Sequence, residues 1–131
     1  MEIKNHLVII CFVCSLTGLV LIYIADVNLQ PIQMKISEIS FEMVGRKVVT
    51  SGYITYVRTH PEGHIFLTIG YSGDKIQVPL FNGFVSSLEE NGLSKDDFQK
   101  GKRIVVEGLV DEYEGQLQIV PRRPEDITLV D

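Results

Sequence analysis

Few residues in this 131-residue chain combine the types and spacing that chemistry requires. His60 and His64 stand four apart, a spacing at which two imidazoles can share a metal ion. No third ligand is evident for them, so they read as residues of a polar turn. Cys11 and Cys14 form a C-x-x-C pair, a pattern that can signal a metal or redox site. Both lie inside an uncharged apolar run, where cysteine packs as a small hydrophobe and nothing polar completes a site. Ser72, Ser86 and Ser87 lack an evident histidine or acidic partner, and there is neither a G-x-S-x-G nor a glycine-rich phosphate loop. These residues point away from an enzyme and toward a binding protein, with no cofactor and no metal expected.

The apolar run spans residues 7–25, LVIICFVCSLTGLVLIYIA, and accounts for a mean hydropathy of +0.17 in a chain with 22% charged residues. As a helix it covers about 28 Å, enough to cross a hydrocarbon core. Its only small residue at the right place for signal cleavage is Ala25, and Tyr23 two positions earlier is a poor partner. A retained anchor over residues 1–25 is therefore favoured over a cleaved leader, giving a single-pass membrane protein. Lys4 and the amino terminus precede the run and Asp26 follows it, a bias that favours an extracytoplasmic soluble domain. Residues 26–35 read as a tether, and a domain over 36–131 follows.

That domain contains one pattern twice. Gly45, Val48, Thr50, Gly52 and Ile54 match Gly101, Ile104, Val106, Gly108 and Val110 in type and spacing, each set opening with two basic residues after the first glycine. Period-two alternation marks a half-buried strand, and a glycine within it predicts a bulge or sharp bend. Strands are expected over 46–58, 64–71, 75–81, 102–113 and 116–121, with turns at 60–63, 71–74 and Glu114-Gly115. Pro79 predicts a free edge or a bulge in the third strand. A helical insertion fills 82–101, with Val85, Leu88 and Leu93 on one side and Ser94 opening a second short turn that aims Phe98 inward. Ile127 and Leu129 hint at a last extended piece.

Three meander strands, a helical insertion and a two-strand hairpin make up an all-β order that resembles the OB-fold, a five-stranded Greek-key barrel. The residues carrying the resemblance are the doubled glycine pattern, Gly63 to Ile69, Ile76 to Phe81, and Tyr113-x-Gly115-x-Leu117-x-Ile119. The chain is similar in particular to nucleic-acid-binding OB domains of the anticodon-binding and helicase-associated type, here behind an N-terminal anchor.

The resemblance implies a ligand surface across the second and third strands, between the loops joining strands one to two and four to five. On this chain it would carry Phe66, Thr68, Gln77 and Phe81, flanked by Tyr56, Arg58 and Lys75, with Tyr113, Arg122 and Arg123 from the other side. Aromatic faces stack unpaired bases and cations track phosphates. Phe66 and Phe81 could equally fill the end of the barrel.

Charge opposes strong phosphate binding. Without Glu2, Lys4 and Asp26, 11 basic and 15 acidic side chains remain, a net of −4, whereas non-specific single-strand binders rely on a basic groove. The implied partner is thus single-stranded nucleic acid, bound weakly. The alternative is an extracytoplasmic assembly module for a protein or small ligand, similar in architecture to the haem-chaperone OB proteins. That family attaches haem through a histidine in the C-terminal tail with a tyrosine nearby, and the tail PRRPEDITLVD has neither.

Overall fold

An uncharged apolar run leaves its backbone only its own carbonyls and amides to bond with, and it forms a helix. In the computed structural model, which describes residues 2–28 and 31–130, α1 spans Glu2–Asn28. Its Ser15 and Thr17 hydroxyls donate to the carbonyls of Cys11 and Val13, at 2.9 and 2.8 Å, so its small polar groups are satisfied within the helix. Helix α1 is long and apolar enough to cross a membrane, and none of its apolar stretch is buried. The chain divides into two compact units, Met1–Gln30 and Pro31–Asp131. The tether expected over 26–35 lies partly outside the described residues.

The second unit is a mostly antiparallel sheet curled on itself. Its strands are β1 (Ile32–Gln33), β2 (Lys47–Thr59), β3 (Ile65–Tyr71), β4 (Asp74–Leu80), β5 (Arg103–Tyr113), β6 (Gln116–Val120) and β7 (Ile127–Val130). The five expected strands are all present, but the sheet is larger than five. β1 adds in parallel to β2 at Val48 and Val49, and β7 adds antiparallel to β5. Helix α2 (Asn82–Glu90) and a 3-10 turn at Lys95–Asp97 make up the insertion, with Val85, Leu88 and Phe98 buried. Two further 3-10 turns, at Ile36–Glu38 and Phe41–Met43, lead into β2.

The doubled pattern pairs with itself. β2 and β5 run antiparallel with Val48 opposite Gly108, Thr50 opposite Val106 and Gly52 opposite Ile104. At one end the Gly45 N–H donates to the Val110 carbonyl at 2.8 Å, and the Val110 N–H donates to the Arg46 carbonyl at 2.9 Å. At the other end the Gly101 N–H donates to the Ile54 carbonyl at 2.7 Å, and the Ile54 N–H to the Lys102 carbonyl at 2.8 Å. The two ends are thus equivalent under a local two-fold axis between the strands. Gly45 and Gly101 take φ of +89° and +95°, a region that side chains with a Cβ rarely adopt.

The internal glycines mark close approach, and the bulge lies elsewhere. A Cβ at Gly108 would sit 2.5 Å from the Val120 carbonyl oxygen, where β6 crosses β5, and one at Gly52 would sit 3.1 Å from the Gly70 carbonyl oxygen. The register shift in β2 falls between Ile54 and Tyr56, leaving Thr55 as the extra residue, with its hydroxyl donating to the Thr68 carbonyl at 3.1 Å. Strict alternation from buried Ile54 would send Tyr56 into the core. The bulge instead pairs Tyr56 with Thr68 on the outer face and buries neither.

Pairing runs from β2 through β3, β4, β6 and β5 back to β2, but the β4–β6 join is a single pair, Gln77 opposite Gln118. Pro79, which cannot donate to a ladder, lies just past that join. The interior is filled by aliphatic side chains, with Val48, Ile69, Val78, Leu80, Ile104 and Val106 at zero exposure. The tail is held by Asp126, buried at 4%, whose Oδ2 accepts the N–H groups of Arg122 and Arg123 at 3.0 and 3.1 Å.

Gly108→Ala forces a methyl against the β6 backbone and is expected to destabilise the domain by about 1–3 kcal/mol in a denaturant titration. Deleting Thr55 removes the extra residue and turns Tyr56 inward. The deletion is expected to lower stability far more than Thr55→Val, which loses one hydrogen bond worth about 0.5–1.5 kcal/mol.

Candidate nucleic-acid interface

Where β4 and β6 barely meet, the outer face of the sheet is open, and a cleft of about 500 Å³ lies there. β2 supplies Tyr56 and Arg58, β3 Phe66 and Thr68, β4 Gln77, and the residue after β4 Phe81. The β5–β6 hairpin supplies Tyr113, Glu114, Gln116 and Gln118 from the opposite side. Seven of the ten residues expected from sequence therefore share one cleft.

The register explains why they converge. Arg58 is opposite Phe66, which is opposite Pro79, and Tyr56 is opposite Thr68, which is opposite Gln77. These are two adjacent rows across three strands, and residues two apart on a strand share a face. In the first row the Arg58 guanidinium lies over the Phe66 ring, 5.1 Å from its centroid, a cation–π placement. Phe66 meets Phe81 edge to face at 6.4 Å. Phe81 is 48% exposed and Phe66 half-buried, so neither is a core residue and both keep an accessible surface. Tyr56 and Tyr113 are more exposed still, at 57% and 63%.

The second row is polar. Gln77 Nε2 donates to Gln116 Oε1 across the β4–β6 seam at 2.6 Å, and Gln118 Nε2 reaches Asp111 Oδ2 at 3.4 Å. These amides can offer donors and acceptors to the edge of a planar ligand held between the aromatic rings. Among the described residues that line the cleft, Glu114 is the one acid and Arg58 the one cation.

Three expected residues stand apart. Lys75 is exposed beside Gly70, one row beyond the cleft. Arg123 turns to the tail's own carboxylates, 3.7 Å from Asp126 Oδ1 and 4.0 Å from Glu125 Oε2. Arg122 is exposed and gives its backbone N–H to Asp126. The residues that sequence reasoning missed are the hairpin's Glu114, Gln116 and Gln118. Their alternation was visible, but nothing in it showed that the hairpin lies over the seam.

His60 and His64 are turn residues, as expected. The turn between β2 and β3 brings Glu62 to His60 and His64, so a third candidate ligand is present. Among the described residues only these three group in this way. His64 Nδ1 accepts the Asn82 N–H at the start of α2, at 2.9 Å, and its ring packs near Phe66 and Phe81 with centroids 6.1 and 5.8 Å away.

An OBody bound to hen egg-white lysozyme is 18% identical, with a TM-score of 0.61 over 75% of this chain and 92% of that one. A chain of the S. pombe Stn1-ten1 complex is 16% identical with a TM-score of 0.52, covering 64% of this chain and 57% of that one. Asparaginyl-tRNA synthetase from Pyrococcus horikoshii is 20% identical with a TM-score of 0.54 over 74% of this chain, which spans only 22% of the synthetase chain. At these identities the likeness is one of fold. No curated protein sequence matches the chain. The model of the OB-fold nucleic acid binding domain matches residues 48–127, from the middle of the first glycine pattern to the start of β7. Through that domain the chain belongs to the OB-fold nucleic acid binding family.

Proposed function

We propose that this protein is a single-pass membrane protein whose five long strands form a Greek-key OB barrel over residues 36–131. The barrel binds short single-stranded nucleic acid across the cleft. Residues 1–25 are the retained anchor and 26–35 the tether, and the charge bias around the anchor favours the extracytoplasmic side for the barrel. The protein is a binding module without catalytic activity. The observation that carries the reading is the convergence of Tyr56, Phe66, Phe81 and Tyr113 on one cleft with Arg58 among them. Exposed rings stack bases of any sequence, and the glutamine row offers amides to base edges. Lys75 extends the same face, whereas Arg122 and Arg123, engaged with the tail's own carboxylates, are at most weaker contributors.

With one cation in the cleft, affinity comes from stacking more than from phosphate neutralisation. A second reading is favoured by the net charge of −4 outside the anchor region. In it the cleft takes a segment of a protein partner, and the similar OBody bound to lysozyme is a barrel of this fold with a protein partner.

The test is fluorescence anisotropy with labelled single strands and the full chain in detergent. One phosphate contact through Arg58 gives a slope of about −0.7 in log K against log salt, far shallower than a basic groove gives. Phe81→Ala is expected to weaken binding about 5- to 100-fold, the loss of one stacking platform, while leaving the melting temperature nearly unchanged because the ring is half exposed. No binding at low salt sinks the nucleic-acid reading and leaves the protein-partner reading to be tested by crosslinking through Tyr113. Reporter fusions at both ends decide the orientation.

A further inference from the structure

We infer that His60, Glu62 and His64 form a binding site for a zinc-class divalent cation at the rim of the cleft. The three side chains offer ligand atoms that all lie within 4.8 Å of one another, and His64 Nε2 is already 3.6 Å from Glu62 Oε2. Ligands at ordinary zinc distances in a tetrahedron are about 3.3 Å apart, so closure asks for a movement of up to about 1.5 Å, which exposed His60 and Glu62 can make toward half-buried His64. Two imidazoles and one carboxylate suit zinc or a neighbouring borderline metal better than calcium or magnesium, which take oxygen ligands. The turn is built to hold the set together. The His60 N–H donates to the His64 carbonyl at 2.8 Å, the Gly63 N–H donates to the His60 carbonyl at 2.9 Å, and Gly63 takes a φ of +97°.

The second shell sets the terms of binding. His60 Nδ1 accepts the Glu62 N–H at 3.2 Å and His64 Nδ1 accepts the Asn82 N–H at 2.9 Å. Each neutral ring therefore carries its proton on Nε2, where a metal would bind. Loading moves that proton to Nδ1 in both rings, with no net proton released, and frees two backbone amides to water. Both amides belong to exposed residues, so the loss of their bonds to the rings is modest. Three protein ligands leave a coordination position open, as in zinc sites that take an exchangeable ligand. The His64 ring packs beside Phe66 and Phe81, which line the cleft, so the metal would sit near its rim. It would give an acidic protein a cationic contact for an oxyanion there. This last consequence rests on the proposed function, whereas the metal site does not.

The experiment is calorimetric titration of Zn²⁺ into the full chain in detergent, with Cys11→Ser and Cys14→Ser in every sample so that thiols do not compete. One equivalent is expected to bind. His60→Ala and Glu62→Gln are each expected to weaken it by at least the 10- to 100-fold that loss of an outer-shell partner costs. Both positions are exposed and spare the core, and melting curves check this. In ¹⁵N spectra the protonated ring nitrogen of each histidine should change from Nε2 to Nδ1 on loading, and the Glu62 and Asn82 amides should shift. Equal Zn²⁺ affinity in the His60→Ala/Glu62→Gln double variant, or unchanged histidine tautomers at saturation, overturns the assignment. Oligonucleotide affinity that is the same with Zn²⁺ and with chelator overturns only the link to the cleft.

Discussion

The Gly45 N–H bound to the Val110 carbonyl, and the Gly101 N–H bound to the Ile54 carbonyl, tie the two glycine-led strands into one reciprocal unit. Everything else in the domain hangs from that unit. β2 leaves it to pair with β3, and β5 leaves it to pair with β6, so the two halves of the sheet diverge from the clasp and meet again where β4 pairs with β6. Each half brings its own stop: a positive-φ glycine starts the strand, and a second glycine four positions after its first core residue lets a neighbouring backbone pass at contact distance. Neither requirement tolerates a Cβ. The repetition in sequence is thus the trace of one mechanical requirement met twice.

Much of the fold was legible because it depends on short-range alternation. The five long strands and the insertion follow from buried side chains at period two and at helical spacing, which any window of the sequence displays. β1 was not legible. Two residues after Pro31 hold no period, and their strand character comes from pairing with Val48 and Val49 sixteen positions on. β7 was only hinted at, by Ile127 and Leu129, for the same reason of length. The bend expected at the mid-strand glycines is also instructive. A glycine in a strand serves either a bulge or a close approach, and only the packing of Val120 against Gly108 shows which.

The site was legible in its membership and not in its geometry. Tyr56, Arg58, Phe66, Thr68, Gln77, Phe81 and Tyr113 follow from strand order once the fold resemblance is granted. That Tyr56 faces outward depends on one extra residue, Thr55, which interrupts an alternation otherwise unbroken from Val48. Arg122 and Arg123 looked like free cations because sequence does not show that Asp126 folds back to cap their backbone. Glu62 stood between two histidines in plain view. Only a turn closed by the His60–His64 backbone bond converts that adjacency in sequence into adjacency of side chains.

The sheet closes through full ladders everywhere except between β4 and β6, where one residue pair joins the ring. Elsewhere the ring is held by backbone ladders, whereas here the Gln77–Gln116 side-chain bond spans the join and fully buried Val78 and Ile119 lie beside it. The least hydrogen-bonded join of the ring and the open face coincide. Gln77, Gln116 and Gln118 therefore serve twice, as wall of the cleft and as closure of the ring, a double duty that an evenly hydrogen-bonded cylinder would not impose.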